Sequence, residues 1–154
     1  MIATNASQFQ LDLSKIIEKA KGNGSAVARK IALDLNTKVI EKTPRDEGIA
    51  KNRWAVALNT VDNSEYGADI NGAGAVARGV GRLKDFKVGD TIWITNNLPY
   101  IRKLEFGLYG NPEGSANGPK TINGYSTQAP SGFVRITFQE IISQFPRIAA
   151  SVIK

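Results

Sequence analysis

Residues 91–107 read Thr-Ile-Trp-Ile-Thr-Asn-Asn-Leu-Pro-Tyr-Ile-Arg-Lys-Leu-Glu-Phe-Gly, and the rest of the chain is organised around them. The first half reads as a buried strand, because β-branched residues gather about Trp93. The second half reads as a short helix. Pro99 can open it, since its missing N–H would lack a partner in the first turn. Leu98, Ile101 and Leu104 recur every third residue, with Tyr100 four before Leu104, and give a short apolar face. Gly107 offers a left-handed stop. A strand running straight into a docked helix predicts a rigid corner, with the mobile segments on either side of it.

Upstream, Phe9, Leu11 and Leu13 alternate with polar residues and read as a short half-buried strand. Ser14 or Asp12 caps a helix to about residue 21, which Gly22-Asn23-Gly24 ends. Ser25 then caps a second helix over 26–42, where Val27, Ile31, Leu35 and Val39 repeat every four residues. Thr43-Pro44 stops it, because a residue before proline resists the helical region. The turn 43–48, Thr-Pro-Arg-Asp-Glu-Gly, uses Pro44 to preset the backbone and Gly48 for positive φ. A strand follows over about 52–60, carrying Trp54, Val56 and Leu58, with Ala55 and Ala57 making one face small.

Two stretches read as long Gly-rich loops, 62–81 and 108–124. The first holds Gly67, Gly72, Gly74, Gly79 and Gly81. Within it, 72–77 fits the loose pattern G-x-G-x-x-A. It reads as flexible loop rather than a dinucleotide site, because no parallel strand precedes it. Arg78, Arg82, Lys84 and Lys87 form the most basic local patch and are the candidate DNA or partner contacts. Ser131 is the expected cap of a last helix. In it Val134, Phe138, Ile141, Phe145, Ile148 and Val152 recur at 4, 3, 4, 3, 4, a stripe that packs on the sheet or against a neighbouring subunit. Pro146 predicts a bend near Gln144, or two helices end to end.

Together these readings give an α+β fold: a small, mostly antiparallel sheet packed by a long N-terminal helix region and a C-terminal helix, with two long Gly-rich loops. The chain has 154 residues, the length of one domain, so 1–154 reads as a single unit. There is no Cys and no His, which removes thiolate chemistry, the commonest metal ligand and every Ser-His triad. No apolar run reaches the roughly 18 residues that a membrane span needs. The carboxylates have no calcium-loop spacing. Glu105 reads as an ion pair or a cap on a neighbouring backbone, with a two-carboxylate hydrolase as a remote alternative. Trp54 and Tyr100 read as core or interface aromatics. No enzyme, cofactor or metal is expected. The net charge is +6, and its spread along the chain favours a solvated surface over nucleic-acid binding.

Three stretches, 43–54, 94–107 and 124–135, resemble in their order the neck, or tail-completion, proteins of tailed bacteriophages. In that family a Thr-Pro-Val-Asp-Thr-Gly turn joins a helix to a Trp-bearing strand. A Tyr…Glu-x-Gly segment follows the next strand, and Gln-Ala-Pro-x-Gly opens the last helix. Here the counterparts are Thr-Pro-Arg-Asp-Glu-Gly, Tyr100 to Glu105-Phe106-Gly107, and Gln128-Ala129-Pro130-Ser131-Gly132. Arg45 and Glu47 depart from the pattern, and the loop after Gly110 reads as an insertion. The resemblance implies a virion part made in the bacterial cytoplasm. It would form a ring, usually six-fold, between a portal-side head-completion protein and a tail-side tube or terminator protein, with DNA passing through. It also implies that Gly48, Gly107 and Pro130 hold backbone corners while Trp54, Tyr100 and Phe106 fill the core around them. A tail-terminator ring protein is the first alternative; a basic nucleic-acid-binding protein is the second.

Overall fold

The computed structural model describes residues 6–109 and 117–153, with 6–13 and 16 described by backbone alone. Among them are five helices and two small antiparallel sheets, an α+β arrangement.

Helix α1 runs unbroken over Ala6–Lys42. It replaces the expected strand at 9–13, makes a cap at Ser14 or Asp12 unnecessary, and passes through Gly22-Asn23-Gly24 without stopping. Five alternating residues are too few to separate a period of 2 from one of 3.6. Each interior glycine costs about 1 kcal/mol, but a helix already under way gains a hydrogen bond for every residue it adds. The expected half-burial of Phe9, Leu11 and Leu13 lies outside the described residues. The helix ends where proline predicts. The Thr43 hydroxyl donates to Val39 O at 2.7 Å.

The turn after α1 leads into one helical turn, α2 (Ile49–Asn52), and then strand β1 (Trp54–Leu58). Gly48 sits at φ 83°, and a Cβ there would lie 2.5 Å from the backbone of Asp69 and Ile70. Strand β1 pairs antiparallel with β2 (Ile92–Asn96), Trp54 opposite Asn96 and Leu58 opposite Ile92. The buried strand is β1, not β2. Helix α3 packs on β1 and not appreciably on β2, so β1 is covered on both faces while β2 offers only alternate residues to the core. Ile94 packs against it, while Trp93 points the other way and is exposed.

The second half of the expected loop 62–81 is a helix, α3 (Ala73–Leu83). Its glycines answer to close packing rather than flexibility. A Cβ on Gly79 would come within 2.6 Å of Asn36 Nδ2 and 3.2 Å of Val56 Cγ2. Asp69 secures the start of α3, its carboxylate accepting from the N–H groups of Asn71 at 3.1 Å, Gly72 at 3.2 Å and Gly74 at 2.9 Å.

After β2 comes α4 (Ile101–Phe106), stopped as expected by Gly107 at φ 64°. The loop expected at 108–124 contains strand β3 (Thr121–Ile122), paired with β4 (Tyr125–Ser126); residues 110–116 lie outside the described residues. Helix α5 (Phe133–Val152) starts after Gly132, without a side-chain cap from Ser131. It continues through Pro146 as one helix. The carbonyl that proline leaves without an amide donor belongs to Ile142, an exposed residue. Helix α5 meets the sheet at its first turn, through Phe133 on Trp54, and packs mainly on α1. It lies antiparallel along α1, where Lys42 Nζ donates to Glu140 Oε1 at 2.6 Å. The main core gathers Val39, Ile40, Trp54, Leu104 and Phe133. The rings of Trp54 and Phe133 meet edge to face, 6.5 Å apart.

Candidate functional site

The turn 43–48, the α4 segment and the approach to α5 meet at one corner, although they are far apart in sequence. Glu105 does most of the joining. It is buried, and it accepts from Val134 N through Oε2 at 2.8 Å and from Arg135 N through Oε1 at 3.1 Å. These are first-turn N–H groups of α5 that would otherwise lack partners. Arg135 answers, with Nε on Glu105 Oε1 at 2.8 Å and a terminal nitrogen on Glu105 O at 3.0 Å. The same guanidinium lies 4.7 Å from the Phe106 ring. Glu105 is thus a cap supplied across the fold by another helix, as expected of it, and all its oxygens are spent on structure.

Trp54 ties the corner to α1. Its indole N–H donates to Thr43 Oγ1 at 2.8 Å, so the residue before Pro44 holds both the helix end and the core ring. Gln128 ties the turn to the third stretch. It accepts from Arg45 N at 2.5 Å and donates to Arg45 O at 2.8 Å. Gly107 is required twice, by its left-handed backbone and by the Tyr125 ring seated against its α-carbon. Ala129 is buried, while Pro130 beside it is exposed and sits between the small hairpin and α5.

The three stretches enclose an open groove of about 680 Å³, whose walls include Pro44, Gly48, Tyr100, Leu104, Tyr109 and Gln128. Asp46 and Glu47 stand on one rim and Lys120 on the other, 3.8 Å from Asp46. Burial pushes the Tyr100 phenol above its ordinary value, with Asp46 and Glu47 adding to the rise. Burial, and then the neighbouring Tyr100, do the same for Tyr109. Both phenols therefore stay neutral at physiological pH and offer flat contact and hydrogen bonds rather than a nucleophile. Among the described residues there is no group of three or more His, Cys, Asp or Glu that could hold a metal ion. No helix among them is long and apolar enough to cross a membrane.

Some expected placements do not hold. Tyr100 and Phe106 are exposed and do not fill the core; only Trp54 does. Arg78 is not available to DNA or a partner. Its guanidinium donates to Asn52 Oδ1 at 3.1 Å, to Asn52 O and to Trp54 O at 3.3 Å, and stacks 3.5 Å from the centre of the Tyr66 ring. Arg82, Lys84 and Lys87 are exposed near the end of α3, though Asp62, Asp85 and Asp90 stand among them. Sequence reading missed Lys51. It is buried, and its ammonium donates to Ile40 O at 2.9 Å and Glu41 O at 2.8 Å, closing the last turn of α1. Burial, reinforced by Arg45, lowers its pKa. Only its place nine residues beyond the helix end, past a proline turn, could have hinted at that role. Set beside known protein families, curated proteins and solved structures, the chain finds no match.

Proposed function

We propose that the chain is a structural virion protein of a tailed bacteriophage, a subunit of a ring at the head–tail junction through which DNA passes. The three stretches carry this reading. They resemble the neck and tail-completion family in order and residue type, and they converge on one corner. There their polar groups cap helices and pin turns, with no reactive set left over. On this reading Asp46, Glu47, Tyr100 and Gln128 offer neighbours a shaped groove, and the protein is not an enzyme. The partners are further copies of the chain, in a ring of about six, with a portal-side head-completion protein on one side and a tail-side tube or terminator protein on the other.

The exposed Arg82, Lys84 and Lys87 support passing, sequence-independent contact with DNA. If those three carry it, the slope of log affinity against log salt is about −3 on duplex DNA, at roughly −0.9 per phosphate contact. The deciding experiment mixes purified protein with DNA-filled heads and separate tails lacking this component. Joined particles counted by electron microscopy are the expected result. Failure to join either part, with no ring at any concentration by mass photometry, removes the reading. A terminator ring instead stops tail-tube growth at a fixed length in a tube-polymerisation assay.

A further inference from the structure

Helices α1 and α5 leave an apolar face uncovered. Phe138, Ile142 and Phe145 follow at intervals of four and three along α5 and are 55%, 56% and 48% exposed. With Ile31, Leu35 and Pro146 they line a groove of about 420 Å³. A row of large exposed apolar side chains marks a surface that something covers.

The chain itself carries a candidate cover. Helix α1 has 37 residues, about 55 Å at 1.5 Å per residue. Helix α5 lies antiparallel to it with Phe138–Phe145 beside Ile31 and Leu35, so Val152 ends abreast of about residue 23 of α1. The earlier part of α1 projects beyond it as an arm, exposed at 14, 15 and 17–22 and including Ile17 at 43%. Ile17 lies 14 residues before Ile31 and 18 before Leu35, close to whole numbers of turns, so the arm continues the same helix face. In sequence Phe9, Leu13, Ile17 and Ala20 follow at four, four and three, the repeat of an apolar helix stripe.

We propose that this arm, residues 9–20 of α1, seats in the α1/α5 groove of a second copy of the chain. Ile17 and Ala20 on the described part of the arm are exposed, the groove lacks a filling, and both elements are helical and carry an apolar stripe in their sequence. The unbroken course of α1 through Gly22-Asn23-Gly24 keeps the arm, as one continuous helix, from folding back onto its own groove, so a neighbour supplies it. Each chain then offers one arm and one groove, the two unlike halves of a head-to-tail contact that can close into a ring. The inference deepens the ring reading by naming where neighbours meet, and rests on that reading for what the assembly is for.

The chain has no native Cys, which makes paired cysteines a clean test. The full chain carrying Ile17→Cys and Ile142→Cys is oxidised and run on a denaturing gel without reductant. Covalent dimers and higher species that grow with protein concentration are expected. A fast-migrating, internally bridged monomer would overturn the proposal, because the arm would then have folded at Gly22-Asn23-Gly24 onto its own groove. Absence of any bridge would overturn it as well.

A second test pairs Ile17→Asp with Ile142→Asp. Each alone should weaken self-association about tenfold or more in sedimentation velocity, with circular dichroism unchanged because both sites are exposed. Mixing the two restores one sound arm–groove pair, and association should recover to dimers. No recovery counts against the contact. Gly22→Ala with Gly24→Ala stiffens the arm, and neither added Cβ meets anything nearer than Val88 Cγ2 at 3.6 Å. Tighter association is expected, and weaker association would overturn the straight-arm contact. Head–tail joining that survives loss of the cross-link would remove the arm contact alone. Self-association without joining would remove the phage reading alone.

Discussion

The corner around Glu105 and the outer face of α1 and α5 end in opposite states. At the corner, a carboxylate, an indole, an amide and a guanidinium each find their partners inside the chain. On the outer face, large apolar side chains at helical spacing find no cover within it. A region that has satisfied its own groups has only shape left to offer. A region that has not must find its complement elsewhere. The difference separates what holds the subunit together from what the subunit presents to others, and substitutions on the two sides should behave differently.

The largest loss should come from Trp54→Ala. It removes the ring shared by α1, β1 and α5 and leaves a void beside Phe133. A truncation of this kind costs about 3–5 kcal/mol, and the Thr43 hydroxyl loses its indole donor as well. Urea unfolding followed by circular dichroism should show a much lower midpoint with the slope kept. A shift of less than about 1 kcal/mol would mean that the corner is not the centre of the fold.

Glu105→Ala should come next. It strips the first turn of α5 of its carboxylate cap and leaves the Arg135 guanidinium without its oxygen partner. Loss of a cap costs about 1–2 kcal/mol, and the same urea series measures it. Glu105→Gln keeps one acceptor oxygen and should lie between the parent and the alanine variant. Equal midpoints for all three would show that α5 needs no cap from α4.

The parts of this contrast that sequence could show are the local ones. The three-residue apolar spacing and Gly107 together specify α4, although it begins at Ile101, two residues after the Pro99 expected to open it, and a lone acid on so short a helix has few roles other than the ion pair and cap that Glu105 performs. Thr43-Pro44 and Gly48 specify the turn for the same reason: proline and glycine act through the backbone, where no distant partner is needed. What stayed hidden depends on partners far along the chain. The glycines of α3 read as loop because the residue that requires Gly79 is Asn36, forty-three positions earlier. Arg78 read as an exposed cation because its receptors, Asn52 and Trp54, lie on other elements. The stripe of α5 was legible, but sequence does not say which of its apolar residues meet α1 and which are left outside.

The cap of α3 gives a smaller effect with a direction in pH. Backbone donation from Gly74 above all, and also from Asn71 and Gly72, holds the Asp69 carboxyl below the ordinary aspartate value. A depressed folded value means that this stabilisation is present above the unfolded pKa, near 4. It is then lost as pH falls through the folded value. Asp69→Asn should therefore destabilise at pH 7, and the gap from the parent should narrow as the pH is lowered below about 4. Urea midpoints of both proteins at pH 7 and pH 3 test it. A gap that stays constant would mean that the charge on Asp69 contributes nothing to the cap.

Phe138→Ser should have the smallest effect on the isolated subunit. The residue is 55% exposed, so the chain's own fold withdraws less than half of it from water. Surface changes of this kind stay within about 0.5 kcal/mol, and exchanging an exposed ring for a hydroxyl should also raise solubility. The informative reading is therefore taken in dilute solution, where the subunit is on its own, by thermal melting against the parent. A melting temperature kept within about 2 °C assigns Phe138 to the presented surface, since 1 kcal/mol moves a domain of this size by roughly 3–4 °C. A drop comparable to that of Trp54→Ala would place the ring inside the subunit's own core, and the contrast between satisfied corner and waiting face would be lost.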